Sequence, residues 1–291
     1  MKKLLITGAS GFLGWNLCQI AQSNWQVYGT YHTHSLPLPQ IRLTPLNLLD
    51  FTALEGLFTD IQPDAIIHTA AQSSPNYCQN HPQETDKINI NAAVEIARLS
   101  AQLQIPCVFT STDLVFDGTS APYLESDRPS PINHYGQQKV KAEQAMRQIY
   151  PQVTICRMPL MFGAAPAHGS SFIQPFIRTL RSNQPLALFT DEWRTPVSAT
   201  TAAQGLLLAL NHPGELLHLG ANERISRYAF GQLMAESLHL PTEFIQPARQ
   251  QDVPMAAPRP QDVSLDSSKA FALGYNPPPL QAQLEALQGQ V

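Results

Sequence analysis

The sequence predicts an α/β protein, a doubly wound parallel sheet followed by a smaller C-terminal domain, on three observations. Short apolar strand patterns alternate with helical ones through the first half of the chain, with connections suited to parallel crossovers. A glycine-rich turn, TGASGFLG, lies between the first strand pattern and the first helix pattern. After Arg157 the alternation loosens into PLMFGAAPAHGSS, a Gly/Pro/Ser-rich segment of the kind that leads out of a domain.

Residues 4–6 form the first buried-strand pattern, and residues 15–21 carry apolar side chains at helical spacing. Between them Gly8, Ser10, Gly11, Phe12, Leu13 and Gly14 make a turn whose small residues let a pyrophosphate approach the backbone. The new helix presents its N-terminal amides there. Strand, glycine turn and helix in this order mark a Rossmann-type dinucleotide fold. Residues 26–31 are the second strand, at whose end an acid would hold the ribose 2'-hydroxyl of NAD. None is present in Thr30-Tyr31-His32-Thr33-His34, so Tyr31 and His32 are candidate contacts and NADPH is the favoured cofactor, with NADH the alternative. As solvated loop histidines, His32 and His34 would do nothing more, and no third ligand makes them a metal pair.

Residues 41–46 are the third strand, and Asn47 and Leu48 after it are placed near the adenine; Asp50 reads as the N-cap of a helix over 52–58. Residues 65–69 are the fourth strand, followed by Ala70, Ala71 and Gln72, small enough at first to admit a ribose or nicotinamide. A long helix over 82–102, containing Asn89 and Asn91, covers the sheet. Residues 106–111 are the fifth strand, carrying Thr110 and handing over to Thr112. Ligands of such sheets sit beyond the C-terminal strand ends, so Gly8, His32, Ala70 and Thr112 converge on one crevice. Tyr135 and Lys139 lie four apart in the helical run HYGQQKVKAEQAM and share a face. A phenol needs a neighbouring cation to exchange its proton near neutral pH, and Lys139 supplies one.

Composition narrows the function classes. Over 291 residues, 43% are hydrophobic and 14% charged, with a net charge of -4, so a large core is expected and disorder is not. No Lys/Arg run offers a field for nucleic acid. Cys18, Cys78, Cys107 and Cys156 form no C-x-x-C pair, which points to packed thiols and away from zinc or a redox dithiol. The apolar start of the chain ends at Thr7, short of a signal h-region, and no stretch reaches the length of a membrane span. A cytoplasmic location and no membrane partner are expected.

With TGASGFLG, STDLVFDG, PYLESDRPSP and YGQQK in order, the chain resembles the extended short-chain dehydrogenase/reductase family, in its dTDP-4-dehydrorhamnose reductase-like branch. The resemblance implies hydride transfer between a nicotinamide and a sugar carbonyl, with Tyr135 as proton donor, Thr112 on the carbonyl oxygen and Lys139 on the nicotinamide ribose. It also implies a discontinuous organisation. A dinucleotide domain takes 1–158 and 196–222, including a sixth strand at 153–157, a helix at 198–210 and a strand at 215–219. A substrate-binding domain takes 159–195 and 223–291, with helices at 171–180, despite Pro175, and at 225–238. The TDEWRTP turn, the Arg259-Pro260 pair and the LDSSK segment match the family's C-terminal pattern. A nucleotide sugar is the expected small-molecule partner, and a homodimer is left open. Leu114, Phe116, Trp193, Arg194 and Arg259 are the candidate substrate contacts, with Arg178 and Arg181 weaker ones, because a diphosphate needs guanidinium forks and a base needs an apolar wall.

The chain departs from the rhamnose-type pattern in three places. Leu114 stands where a Tyr is usual, Phe12 replaces a Gln in the glycine turn, and AAQSSPNYCQNHP replaces the usual segment after the fourth strand. These are similar to the branch holding the regulatory beta subunit of methionine adenosyltransferase. Two further readings therefore stand beside the reductase: a dinucleotide-binding regulatory subunit, and a nucleotide-sugar epimerase or dehydratase, for which Asp113 supplies one acid. The reading of the second strand predicts tighter binding of NADPH than of NADH; calorimetric titration with both cofactors checks it, and a clear NADH preference contradicts it.

Overall fold

The computed structural model describes residues 1–291. Six strands, with helices between all but the second and third, are β1 (Lys3–Thr7), β2 (Gln26–Tyr31), β3 (Arg42–Pro45), β4 (Ala65–His68), β5 (Cys107–Thr112) and β6 (Thr154–Met158). With Leu216–His218 they form a seven-stranded sheet in the order Leu216–His218, β6, β5, β4, β1, β2, β3, every pair parallel. The doubly wound parallel sheet expected from the sequence is thus present. Each strand alternates between two cores. Leu4, Ile6, Ile67, Val108 and Cys156 pack on one face with α1 (Phe12–Ala21), and Leu5, Ile66, Phe109 and Ile155 pack on the other with α2 (Phe51–Ile61). Such period-two burial on both faces explains why these strands read as unbroken apolar runs. The Asp50 cap is as expected, its Oδ1 accepting from the Ala53 amide at 3.0 Å.

The helix expected over 82–102 is present as one helical run, α4 (Pro82–Asp86), a π-helical turn over Lys87–Asn91 and α5 (Ala92–Leu103), and a short α3 (Pro75–Asn80) precedes it. Two prolines set where α3 and α4 begin. Ser74 and His81, each preceding a proline, are pushed out of the helical region, with His81 at φ -131° and ψ 57°. Ser74 then caps α3 by accepting from Tyr77 N, while Pro75 and Pro82 sit at helix starts where no amide is needed. The π turn carries Asn89 inward to 1% exposure.

Beyond β6, α7 (Ile173–Arg181) tolerates Pro175 in its first turn, and α8 (Ala199–Ala209), capped by the Ser198 hydroxyl at Thr201 N, packs on the same face of the sheet as α1. A separate apolar cluster gathers Phe162, Ile173, Ile177, Leu188, Phe230, Met234, Ile245 and Leu284. Around it lie three small strand pairs that the sequence patterns did not predict, Leu186–Phe189 with Ile245–Ala248, Trp193–Arg194 with Ile225–Ser226, and Met161–Phe162 with Val197–Ser198. Two to four residues are too few for a visible alternation.

The strand order reverses between β1 and β4, and the chains leaving their C-terminal ends part to opposite faces. Gly8, at φ +72°, turns the chain out of β1 within van der Waals contact of Ala70: a side chain there would place its Cβ 2.8 Å from the Ala70 Cα. Gly8→Ala is expected to cost about 2–4 kcal/mol, from left-handed strain plus overpacking, read as a lower midpoint in urea unfolding.

Candidate active site

The helix α6 (His134–Ile149) is aimed by its cap. Asn133 Oδ1 accepts from Gly136 N at 2.9 Å, while Asn133 Nδ2 donates to the Pro258 carbonyl at 3.2 Å, tying the start of the helix to the C-terminal segment. Tyr135 and Lys139 both face the sheet, 7% and 2% exposed. Lys139 Nζ donates to the Thr110 carbonyl at 2.8 Å, 4.4 Å from the Phe109 ring centroid and 5.9 Å from that of Tyr135. A Cβ on Gly136 would overlap the Leu114 carbonyl, so this glycine lets the turn after β5 close against the helix beside Tyr135. Thr112 begins that turn, its Oγ1 accepting from Leu114 N at 3.2 Å and donating to Asp113 Oδ1 at 3.1 Å. Phenol, ammonium and hydroxyl are thereby gathered at one strand end.

Burial governs their charge states. It pushes the Tyr135 phenol up, helped by Cys78 and Asp113. It pushes Lys139 down to about 8 against the pull of Glu143 and Cys78. A phenol lowered by Lys139, as the sequence suggested, is not what the protein itself shows, because burial, with Cys78 and Asp113, pushes it the other way. His68, buried and close to Lys139, is pushed down to about 3 and is a neutral imidazole, 2.6 Å from Thr7 Oγ1 through Nδ1.

The dinucleotide candidates lie at neighbouring strand ends. The helix α1 starts at Gly11 with no side-chain cap and no acid in its first turn, so its N-terminal amides and positive dipole end are presented to an anion. Ser10 and Phe12 are half-buried there, whereas the side chains of Leu13 and Leu48 belong to the cores and leave only their backbone for a ligand. Tyr31 is half-buried, and His32 and Asn47 are exposed; Asn47 Oδ1 accepts from Leu49 N at 3.1 Å. Thr110 spends its hydroxyl on the His68 carbonyl at 2.9 Å. Ala70, Ala71 and Gln72 are half-buried beside Gly8.

A buried amide network, which the sequence reading passed over as helix cover, holds that last segment. Asn89 Oδ1 accepts from Gln72 N at 2.9 Å, and its Nδ2 donates to Gln72 O at 3.0 Å and to Gln138 Oε1 at 2.7 Å. Gln138, one residue before Lys139 and fully buried, donates to Thr85 Oγ1 and Asp86 Oδ1, both at 2.7 Å. Asn89 and Asn91, alternating with isoleucines in KININ, were the available signal.

The substrate candidates divide. Leu114 is half-buried beside the site. Phe116 and Arg194 are corrections: Phe116 is wholly buried and stacked on Tyr123 at 4.1 Å between centroids. Arg194, 5% exposed, donates to the carbonyls of Trp193, Pro260 and Gln261 and lies 3.6 Å from Asp113, so its fork is already filled. Trp193 is covered by the Arg224 guanidinium at 4.0 Å from its ring. Arg259 is half-buried and weakly engaged, at 3.4 Å to Asn76 Oδ1. Arg181 donates to the carbonyl of Val291 and stands apart from these residues. Sequence reasoning missed Glu192 and Arg227, a pair at 2.5 Å next to Arg194 in which the carboxylate is buried and the guanidinium half-buried. Asp113 is pushed up to about 6 by burial, opposed by Arg194.

The sequence profile described as the RmlD substrate binding domain matches residues 1–290. The chain belongs to this family. Among its relatives, methionine adenosyltransferase 2 subunit beta of Xenopus laevis is 31% identical over 281 residues, covering 94% of this chain and 83% of that protein. A solved structure described as a hypothetical dTDP-4-dehydrorhamnose reductase from Sulfolobus tokodaii is 31% identical, with a TM-score of 0.82 and 94% of each chain covered. The dTDP-4-dehydrorhamnose reductase of Bacillus anthracis, solved in complex with NADP, shares the fold at a TM-score of 0.87 over 99% of each chain, with 22% identity. Proteins described as a regulatory subunit and as a hypothetical reductase are thus equally similar to this chain in sequence.

Asn89→Leu leaves the Gln72 backbone and the Gln138 amide unsatisfied, and an expected loss of about 2–4 kcal/mol in chemical denaturation measures the network.

Proposed function

We propose that the protein is an NADPH-dependent reductase of a 4-keto-deoxysugar nucleotide, with Tyr135 as the proton donor. The observation that carries this reading is the placement of Tyr135, Lys139 and Thr112 at the end of β5, on the crevice that also receives the uncapped start of α1. The donor set fits a dinucleotide: unblocked helix amides and a glycine turn for the pyrophosphate, and Lys139 for the nicotinamide ribose. Bound there, the nicotinamide would supply the hydride. The chain's own residues do the rest. Thr112 Oγ hydrogen-bonds the carbonyl oxygen and Tyr135 gives it a proton, a transfer that must overcome the burial that holds the phenol above its ordinary value. Of the guanidinium candidates, Arg259 has the most capacity left for a diphosphate, since Arg194 is filled by backbone carbonyls.

A second reading has its own support. The likeness to methionine adenosyltransferase 2 subunit beta spans nearly the whole chain, and Leu114 stands where the reductases usually carry Tyr. Under it the dinucleotide crevice serves partner control and not turnover.

NADPH oxidation with a dTDP-4-keto-6-deoxy sugar separates the two. Turnover is expected, with a loss of roughly two to four orders of magnitude in kcat for Tyr135→Phe. Retained NADPH binding without turnover on any keto-sugar would favour the regulatory reading. NADPH affinity should also fall as pH rises through about 8, where Lys139 loses its charge, and should hold below it; a fluorescence titration across that range checks the sign.

A further inference from the structure

Lys139 is an ammonium with almost no access to water, and its surroundings can be followed element by element. From β5 come the Thr110 carbonyl and the Phe109 ring. From β4 comes His68, neutral through burial. From α3 comes Cys78, whose thiol burial pushes up and so keeps protonated. From its own helix come Tyr135, also protonated, and, one turn on, Glu143. Glu143 is the one carboxylate acting on Lys139 in this set. It is itself 6% exposed and held on three sides: Oε1 accepts from Ser111 Oγ at 2.5 Å and from Arg157 Nε at 3.1 Å, and Oε2 accepts from Arg157 Nη2 at 2.9 Å. Ser111 lies between Thr110, which anchors Lys139, and Thr112. Arg157, on β6, is a charge in the otherwise apolar strand TICRM, and its remaining nitrogen approaches His218 Nε2 at 3.5 Å.

From this geometry we propose that Glu143, fixed by Arg157 and Ser111, is a positioning residue that keeps Lys139 cationic inside the sheet and α6 interface. The pair acts through its asymmetry. The carboxylate is on the helix of Lys139, one turn away, while the guanidinium lies behind it on the neighbouring strand. Ammonium and carboxylate are anchored on consecutive residues of β5, Lys139 at the Thr110 carbonyl and Glu143 at the Ser111 hydroxyl, whereas the guanidinium comes from β6. The proposal rests on the reading of Lys139 as the cation of a dinucleotide site, but its test does not require turnover.

Lysine labelled with 13C at Cε, in a chain with six lysines, gives few resonances, and Lys139→Arg assigns the one that matters. Its titration is expected to move down by about one pH unit or more in Glu143→Gln and up in Arg157→Gln, where the carboxylate is left unneutralised. Should either single variant fail to fold, the double variant Glu143→Gln/Arg157→Gln removes both buried charges and is expected to lie between wild type and Glu143→Gln. Shifts of opposite sign in the two single variants, or a downward shift in the double variant, support the proposal, since loss of packing alone would not order them this way. A Lys139 titration unchanged in a folded Glu143→Gln or double variant overturns it. If NADPH fails to bind wild type while these shifts appear, the dinucleotide reading fails and the role of Glu143 stands.

Discussion

The architecture depends on a close approach of two backbones where the sheet reverses. Gly8 leaves β1 and Ala70 leaves β4 with no room for a side chain between them, and short polar contacts stitch the two exits together. Thr69 Oγ1 donates to the Thr7 carbonyl at 2.6 Å, and the Thr7 hydroxyl meets His68. Because that contact sets where α1 begins and where the Ala70 to Gln72 segment runs, it also sets what can lie beneath the latter. Asn89, Gln138 and with them the first turns of α6 are keyed to it by hydrogen bonds. The crevice is thus the consequence of one backbone constraint passed along a buried polar chain.

That chain is unusual in how much polarity it places under the sheet. Lys139, Glu143, Arg157, Gln138, Asn89 and His68 are all buried, and each has a partner. Burying charge is costly unless hydrogen bonds complete it, and pairs of this kind contribute more to a unique arrangement than to net stability. The same logic separates the arginines. Arg194 and Arg157 are committed to carbonyls and carboxylates inside the protein, whereas Arg259 keeps most of its donors. A guanidinium read from sequence as a phosphate fork is as readily an internal tie, and only its burial and partners distinguish the two.

Much of the fold was legible in the residues. Fully buried parallel strands carry their signature in short apolar runs such as AII of β4 and CVF of β5, and the TGASGFLG turn marks the first crossover. Tyr135 and Lys139 were legible because four residues is one helical turn. What escaped was whatever depends on partners distant in sequence. The filled fork of Arg194 is set by residues near 260, the burial of Phe116 by Tyr123, Val263 and Leu265, and the roles of Gln138 and Asn89 by each other. The short strand pairs near 190 and 245 escaped because their pairing, and not their pattern, defines them.

The π-helical turn at Lys87–Asn91 carries one consequence for how this chain can vary. One extra residue within a helical turn offsets the following stretch by roughly 100° about the axis, so the buried apolar face of α5 is out of phase with the face of α4 that buries Thr85. A single-residue deletion inside that turn would restore a regular helix and swing Asn89 away from Gln72 while shortening the path to the sheet. Length in this stretch is therefore constrained as tightly as residue identity, and a relative that lost one residue here would have to hold its Gln72 segment by other means.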